Sequence, residues 1–170
     1  MSIKSGWDGR FYEDFEVGDV YRHPLGRTIT ESDNTWFTLV SMNPNQLHFN
    51  KEYGKKTNFG RRLVNSTLTL SIVTGLSVSD ISQNVFANLG WDEVRLPNPL
   101  FIGDTLYADT KVLEKRESKS RPEVGIVQVS TRGVNQGGKV VISFKRTIMV
   151  YKRGKAPMND TFPTIQEDVN

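Results

Sequence analysis

The chain has 170 residues, no cysteine, 36% hydrophobic and 24% charged residues, and a formal net charge of +3. That length suits one domain with a proper core, while the missing cysteines exclude a disulfide framework and a thiol nucleophile and, with only two histidines, argue against zinc. The mild positive charge does not call for nucleic acid but suits a polyanionic small ligand; no apolar run approaches the ~20 residues of a membrane-spanning helix, the start lacks a signal-peptide pattern, and a cytoplasmic protein is expected.

In chain order, residues 1–14 are polar with Trp7, Phe11 and Tyr12, and read as an arm across the domain surface. Phe15-Glu16-Val17-Gly18-Asp19 reads as a turn into a strand from Val20 to Ile29, interrupted or bulged around Pro24 and Gly26. Thr30-Glu31-Ser32-Asp33 supplies a capping hydroxyl and carboxylates for a helix dipole. The helix it starts carries Trp36, Phe37, Leu39 and Val40 and should stop near Met42, because Asn43 precedes Pro44 and is pushed out of the helical region. In Asn43-Pro44-Asn45-Gln46-Leu47-His48 the break at Pro44 lets Asn43 and His48 converge from a loop. A neutral imidazole beside an amide can hold and polarise a water molecule; a histidine merely satisfied within a turn is the other reading.

Residues 49–64 carry Lys51, Lys55, Lys56, Arg61 and Arg62, with Phe49 and Tyr53 spaced as on one helical face. Most of these cations read as solvated surface. Arg61 and Arg62 precede Asn65-Ser66-Thr67 and are better placed to meet a ligand. Thr67 to Ile72 alternates with period two, which propensity alone would make a strand. Residues 80–90 read as a polar connection without assignable chemistry. Strands are expected over Trp91–Leu96, Thr105–Lys115, Val124–Val134 and Lys139–Tyr151, the last two joined by a hairpin turn at Asn135-Gln136-Gly137-Gly138. The basic loop from Lys115 to Pro122, with Lys119 and Arg121, is either a solvated hairpin tip or a phosphate-contacting edge. The tail from Lys152 carries Gly154, Pro157 and Pro163 and reads as extended.

Taken together, Phe15-Glu16-Val17-Gly18-Asp19, Asn43 to His48, Asn65-Ser66 and Pro99-Leu100-Phe101-Ile102-Gly103-Asp104-Thr105-Leu106 resemble the MaoC-like hydratase/dehydratase family, which includes (R)-specific enoyl-CoA hydratases. The resemblance covers about residues 10–151. It implies an α+β fold: a single hot-dog domain over residues 15–151, between an arm (1–14) and a tail (152–170), whose curved antiparallel sheet wraps a nearly buried central helix. It therefore sets a helix from about Ser66 to Ser79 against the strand propensity. His48 matches the family's histidine and Asn45 its asparagine. Asn43 stands where the family has aspartate, Gln46 where it has proline, and Asn65-Ser66 replaces His-Gly.

The activity implied is reversible hydration of a 2-enoyl-CoA, with the thioester as substrate and no cofactor or metal. His48 would be the acid/base, and Asn43, unable to carry a proton, would orient the water. The backbone amide near Ser66 would meet the enolate oxygen, with Asn65 as helix cap. Asn45 would contact substrate, and Arg61, Arg62, Lys119 and Arg121 the coenzyme A phosphates. The basic loop is similar to a branch of the family associated with branched or dicarboxylic acyl-CoAs such as mesaconyl-CoA. Sites between protomers are expected, hence a homodimer or dimer-based oligomer, with no nucleic-acid or membrane partner. A non-catalytic acyl-CoA-binding protein and an acyl-CoA thioesterase stay open, although no carboxylate stands in the motif to serve the latter.

Overall fold

The computed structural model describes residues 2, 4, 6–157, 163 and 164; most of the tail expected to be extended lies outside them. Six strands form one antiparallel sheet: β1 (Val20–Arg22), β2 (Arg27–Thr28), β3 (Val85–Arg95), β4 (Thr105–Glu117), β5 (Val124–Asn135) and β6 (Val140–Tyr151). The order is β1-β4-β5-β6-β3, with β2 also paired to β4. The strand expected from Val20 to Ile29 is thus two short pieces on one edge of β4, split where Pro24 cannot donate to the ladder.

β3 begins at Val85, six residues before the expected Trp91, and absorbs most of the stretch read as a polar connection. Its register with β6 shifts three times, between Val85 and Ala87, Asn88 and Gly90, and Asp92 and Arg95. Each shift breaks the two-residue alternation by which a strand is recognised.

The described residues hold three α-helices, α1 (Glu31–Val40), α2 (Lys51–Lys55) and α3 (Ser66–Leu76), of which α3 lies against β4 and β5. Thr30 and Asp33 form the capping box of α1, and Met42 just past its end adopts φ 51°, a turn that glycine makes more easily. α3 is a helix despite its β-branched residues, because packing overrides weak propensity. Its hydroxyls turn back on their own helix, Ser71 Oγ donating to Thr67 O at 2.9 Å. It ends before the expected Ser79 and passes into a π-helical turn, Val78–Ser82. It is also less enclosed than expected in a single chain: Leu68, Thr69 and Val73 are buried, while Thr67, Ser71 and Gly75 face out.

The seat of α3 is set by the sheet. A Cβ on Gly133 of β5 would fall 2.6 Å from a Val73 methyl, so only glycine lets the helix come this close. At the other end of the same strand Gly125 lies under the Tyr12 ring, with 2.1 Å for the same test. In the segment read as an arm, Trp7 Nε1 donates to Ser79 O at 3.0 Å and Arg10 pairs with Asp80 at 2.9 Å, while Phe11 and Tyr12 are buried.

The core falls into two apolar clusters. One gathers Val64, Leu68, Val73, Leu100, Ile142 and Phe144 around α3, and the other gathers Tyr12, Phe15, Ile81, Val112, Val129 and Ile148 under the arm. A buried polar row separates them. His23 Nε2 meets Thr110 Oγ1 at 2.9 Å, and Thr110 meets Thr131 Oγ1 at 2.9 Å. On β6, Arg146, paired with Val129 and between Phe144 and Ile148 on the same face, is also buried and donates to Ser77 Oγ at 3.2 Å; burial pushes its guanidinium down to about 10. Among the described residues, no helix is long and apolar enough to cross a membrane.

Candidate active site

The route from α1 to His48 is built by asparagines. Asn43 Oδ1 accepts from Asn45 N at 3.0 Å, and Asn45 Oδ1 accepts from Leu47 N at 3.0 Å. These are two Asx turns in succession. They carry the chain out of α1 and present His48, which is half-buried.

His48 Nδ1 lies 3.2 Å from Leu63 O. A carbonyl can only accept, so Nδ1 carries the proton and the neutral ring keeps Nε2 as its acceptor. His48 lines a cavity of about 440 Å3 together with Ser66, Thr69 and Asn98; its other walls are apolar, among them Phe59, Leu96, Leu100 and Val141.

Ser66 is the first residue of α3. Asn65 Oδ1 caps the helix, accepting from Thr67 N at 3.1 Å and Thr67 Oγ1 at 2.7 Å. The Ser66 amide belongs to the groups that a helix start leaves for a ligand. The cavity thus places a neutral imidazole opposite a positively polarised helix end. Such a pair can accept a proton from water while stabilising an oxyanion.

Asn43 departs from expectation. It is not among the residues lining the cavity, and its carboxamide oxygen is spent on the Asx turn that shapes the loop. Asn45 is exposed and engaged in the same way. Asn34 was missed by the sequence reading: fully buried on α1, it donates through Nδ2 to His48 O at 2.7 Å and to Leu63 O at 3.3 Å, and accepts from Asn65 N at 2.8 Å. Its only sequence signal is a polar residue on the inner side of an otherwise amphipathic helix.

Arg61 and Arg62 border a second cavity of about 280 Å3, with Lys51 and Lys55 across it. Those two lysines, read from the sequence as ordinary surface, therefore belong to a cationic cleft. Phe59 and Leu63 line the first cavity while Gly60, Arg61 and Arg62 line the second, so one short segment separates them. Arg61 stacks on Phe101 at 3.7 Å from the ring centre, and Arg62 pairs with Glu31 at 2.9 Å. The hydrogen bond and charge of Arg62 hold the Glu31 carboxyl below its usual value.

Lys119 and Arg121 are not brought to this site. They lie beyond β4, beside the end of β6, whereas Val141 at its start borders the cavity. Nine strand residues separate the two ends, roughly 30 Å. Arg121 stacks there on Phe86 at 4.8 Å. Within one chain these two cations cannot share a ligand with His48 unless that ligand spans the sheet.

The MaoC like domain family matches residues 14–135 of the chain. A mesaconyl-CoA hydratase of Cereibacter sphaeroides is 35% identical over 159 residues, covering 94% of this chain and 46% of the relative. An (R)-specific enoyl-CoA hydratase of Rhodospirillum rubrum is 29% identical over 146 residues, covering 85% of this chain and 94% of the relative. The crystal structure of a MaoC domain protein from Chloroflexus aurantiacus superposes with a TM-score of 0.84 at 35% identity, covering 98% of this chain and 47% of that one. The chain thus spans about half the length of the first two longer relatives it matches, and nearly all of the shorter hydratase.

Proposed function

The chain belongs to the MaoC-like dehydratase family, and on that premise we propose that it catalyses reversible hydration of a 2-enoyl-CoA, the reverse being dehydration of a 3-hydroxyacyl-CoA. The observation that carries this reading is His48, with Nδ1 held by Leu63 O and its ring lining the same cavity as the first residue of α3.

In this reaction Nε2 of His48 removes a proton from water as the water oxygen bonds to C3 of the enoyl thioester. The electron pair moves to the thioester oxygen, and the Ser66 amide stabilises the enolate. The imidazolium then returns the proton to C2, so one water is added and the histidine ends neutral. One side chain serves as base and acid in turn, which frees Asn43 to shape the loop rather than carry a proton.

The cationic cleft of Lys51, Lys55, Arg61 and Arg62 is where the coenzyme A phosphates would sit, with the acyl chain in the apolar cavity. The names of two relatives, a mesaconyl-CoA hydratase and a beta-methylmalyl-CoA dehydratase, favour a short branched or dicarboxylic acyl chain. A second copy of the chain completes the assembly in this proposal. Trp36, Leu39 and Val40 on α1 and Leu89 and Trp91 on the edge strand β3 are exposed in the single chain, more apolar surface than an isolated domain of this size favours. The cytoplasmic location expected from the sequence is part of the same proposal.

Incubation with crotonyl-CoA and with mesaconyl-CoA, followed by enoyl absorbance and thiol release, tests the reading. Loss of absorbance without free thiol supports hydration, and the faster substrate gives the acyl class. Free coenzyme A points instead to a thioesterase. Tight binding without turnover points to a non-catalytic acyl-CoA-binding protein.

A further inference from the structure

Among the described residues, Asn34 is the one side chain hydrogen-bonded both to His48 and to the cap of α3. Its carboxamide is fully buried, and its contacts reach two segments, the loop at His48 and residues 63–65 leading into α3. Through Nδ2 it donates to the carbonyl of His48 itself at 2.7 Å and to the carbonyl of Leu63 at 3.3 Å. Through Oδ1 it accepts the amide of Asn65, the cap of α3, at 2.8 Å.

The Leu63 carbonyl is also the acceptor of His48 Nδ1. One amide therefore fixes the backbone of the imidazole, the atom that selects its tautomer, and the residue that places the first free amide of α3. Ordinary α1 packing does not require this. A buried apolar side chain would fill the space, but it would leave the His48 carbonyl and the Asn65 amide without these partners and the Leu63 carbonyl with His48 Nδ1 alone.

We propose that Asn34 is a positioning residue for the hydration chemistry, holding the His48 imidazole and the α3 amide at a fixed separation by one carboxamide. The inference rests on the functional reading above, and it concerns a residue outside the histidine motif. Reacting groups held by such a link lose rate steeply when they drift, on the order of 10²-fold for a displacement of about 1 Å.

The near-isosteric variant Asn34→Asp gives the sharpest test. Its carboxyl still accepts from Asn65 N, but when ionised it donates to neither carbonyl. Buried against two carbonyl oxygens, the carboxyl stays protonated to a pH well above the usual carboxylate range, and the protonated form restores one donor. The variant should lose about tenfold or more in kcat at pH 8, with KM nearly unchanged. The ratio of variant to wild-type kcat should rise as pH falls toward 5.5; taking the ratio cancels the titration of His48. A flat ratio, or a loss confined to KM, overturns the proposal.

The imidazole supplies a second readout that needs no turnover. The chain has only two histidines, and His48→Ala identifies the signal of the one in question. Nitrogen spectra of labelled wild type should show His48 as the Nδ1–H tautomer, with a mixture appearing in Asn34→Ala. A wild-type Nε2–H tautomer overturns the proposal even if no variant folds. Wild type that hydrates no enoyl-CoA defeats the functional reading, and the spectra then decide the role of Asn34 alone.

Discussion

The two histidines bond to segments at opposite ends of α3, His23 to Asp80 beyond its last turn and His48 to Leu63 before its first, and are used in opposite ways. His23 has a carboxylate partner, Asp80, at 2.9 Å from Nδ1 and a hydroxyl, Thr110, at 2.9 Å from Nε2, and its side chain is fully buried. His48 has one backbone partner and lines a cavity. On paper the first has the look of a catalytic dyad. It is the second that retains a ring nitrogen for chemistry. A carboxylate beside a histidine is therefore a weak sign of catalysis when both nitrogens are already engaged, whereas an imidazole anchored by one nitrogen is poised through the other.

The largest expected effect sets the two histidines against each other. His48→Ala should lose at least ~10²-fold in kcat and keep its melting temperature, since the ring is half-exposed and makes one bond. His23→Ala should do the reverse. It empties a fully buried site and takes one hydrogen-bond partner each from Asp80 and Thr110, which costs about 2–4 kcal/mol of stability in urea unfolding, and it keeps the kcat of whatever fraction is folded. A stable but inactive His23→Ala would break the contrast.

The fold was legible from landmarks in sequence order, and the helix over α3 was reached by resemblance rather than by pattern, since its alternation imitates a strand. β3 was half lost because bulges erase alternation. In the site, His48, Ser66, Arg61 and Arg62 were legible. Asn34 was not, because its partners are the carbonyls of His48 and Leu63 and the amide of Asn65, and backbone atoms leave no mark in a sequence. His23 was passed over for a related reason: its partner Asp80 lies 57 residues away in a stretch that read as a loop.

A change of pH sharpens the contrast further. Burial raises the Asp80 carboxyl, but hydrogen bonds from His23 and Arg10 outweigh it, and its titration lies below the ordinary 3.8. A depressed folded value means the stabilisation is complete above about 3.8 and is lost as pH falls through the folded value. Asp80→Asn should therefore be less stable than wild type at pH 7, and the gap should close as acid is added. A constant gap from pH 7 to pH 3 would deny that the carboxylate is the stabilising form. The site side predicts a different dependence: binding of coenzyme A should weaken with salt. Arg61→Ala combined with Lys51→Ala should flatten that dependence in calorimetric titration, while Arg121→Ala should not.

The smallest effect belongs to the loop before His48. Met42 is 88% exposed at φ 51°, so Met42→Gly removes backbone strain and little packing. A gain of about 0.5–1 kcal/mol is expected in urea unfolding, with kcat unchanged. A fall in kcat would tie the loop's stiffness to catalysis.

The buried polar row has a consequence for how the strands find one another. Sliding β4 along β5 by one residue turns every side chain to the wrong face, and hydrophobic burial alone forbids it. Sliding by two residues keeps inside and outside correct, and the valines of these strands, Val112, Val127 and Val129, would pack against one another almost as well. What forbids that slip is the facing of Thr110 with Thr131. Two residues out of step, Thr110 meets Val129 or Gly133 and Thr131 meets Ala108 or Val112, and the bond between the two hydroxyls is lost. The row thus supplies the vernier that an apolar, alternating interior lacks, fixing the sheet to a single alignment from which both ends of the molecule take their position.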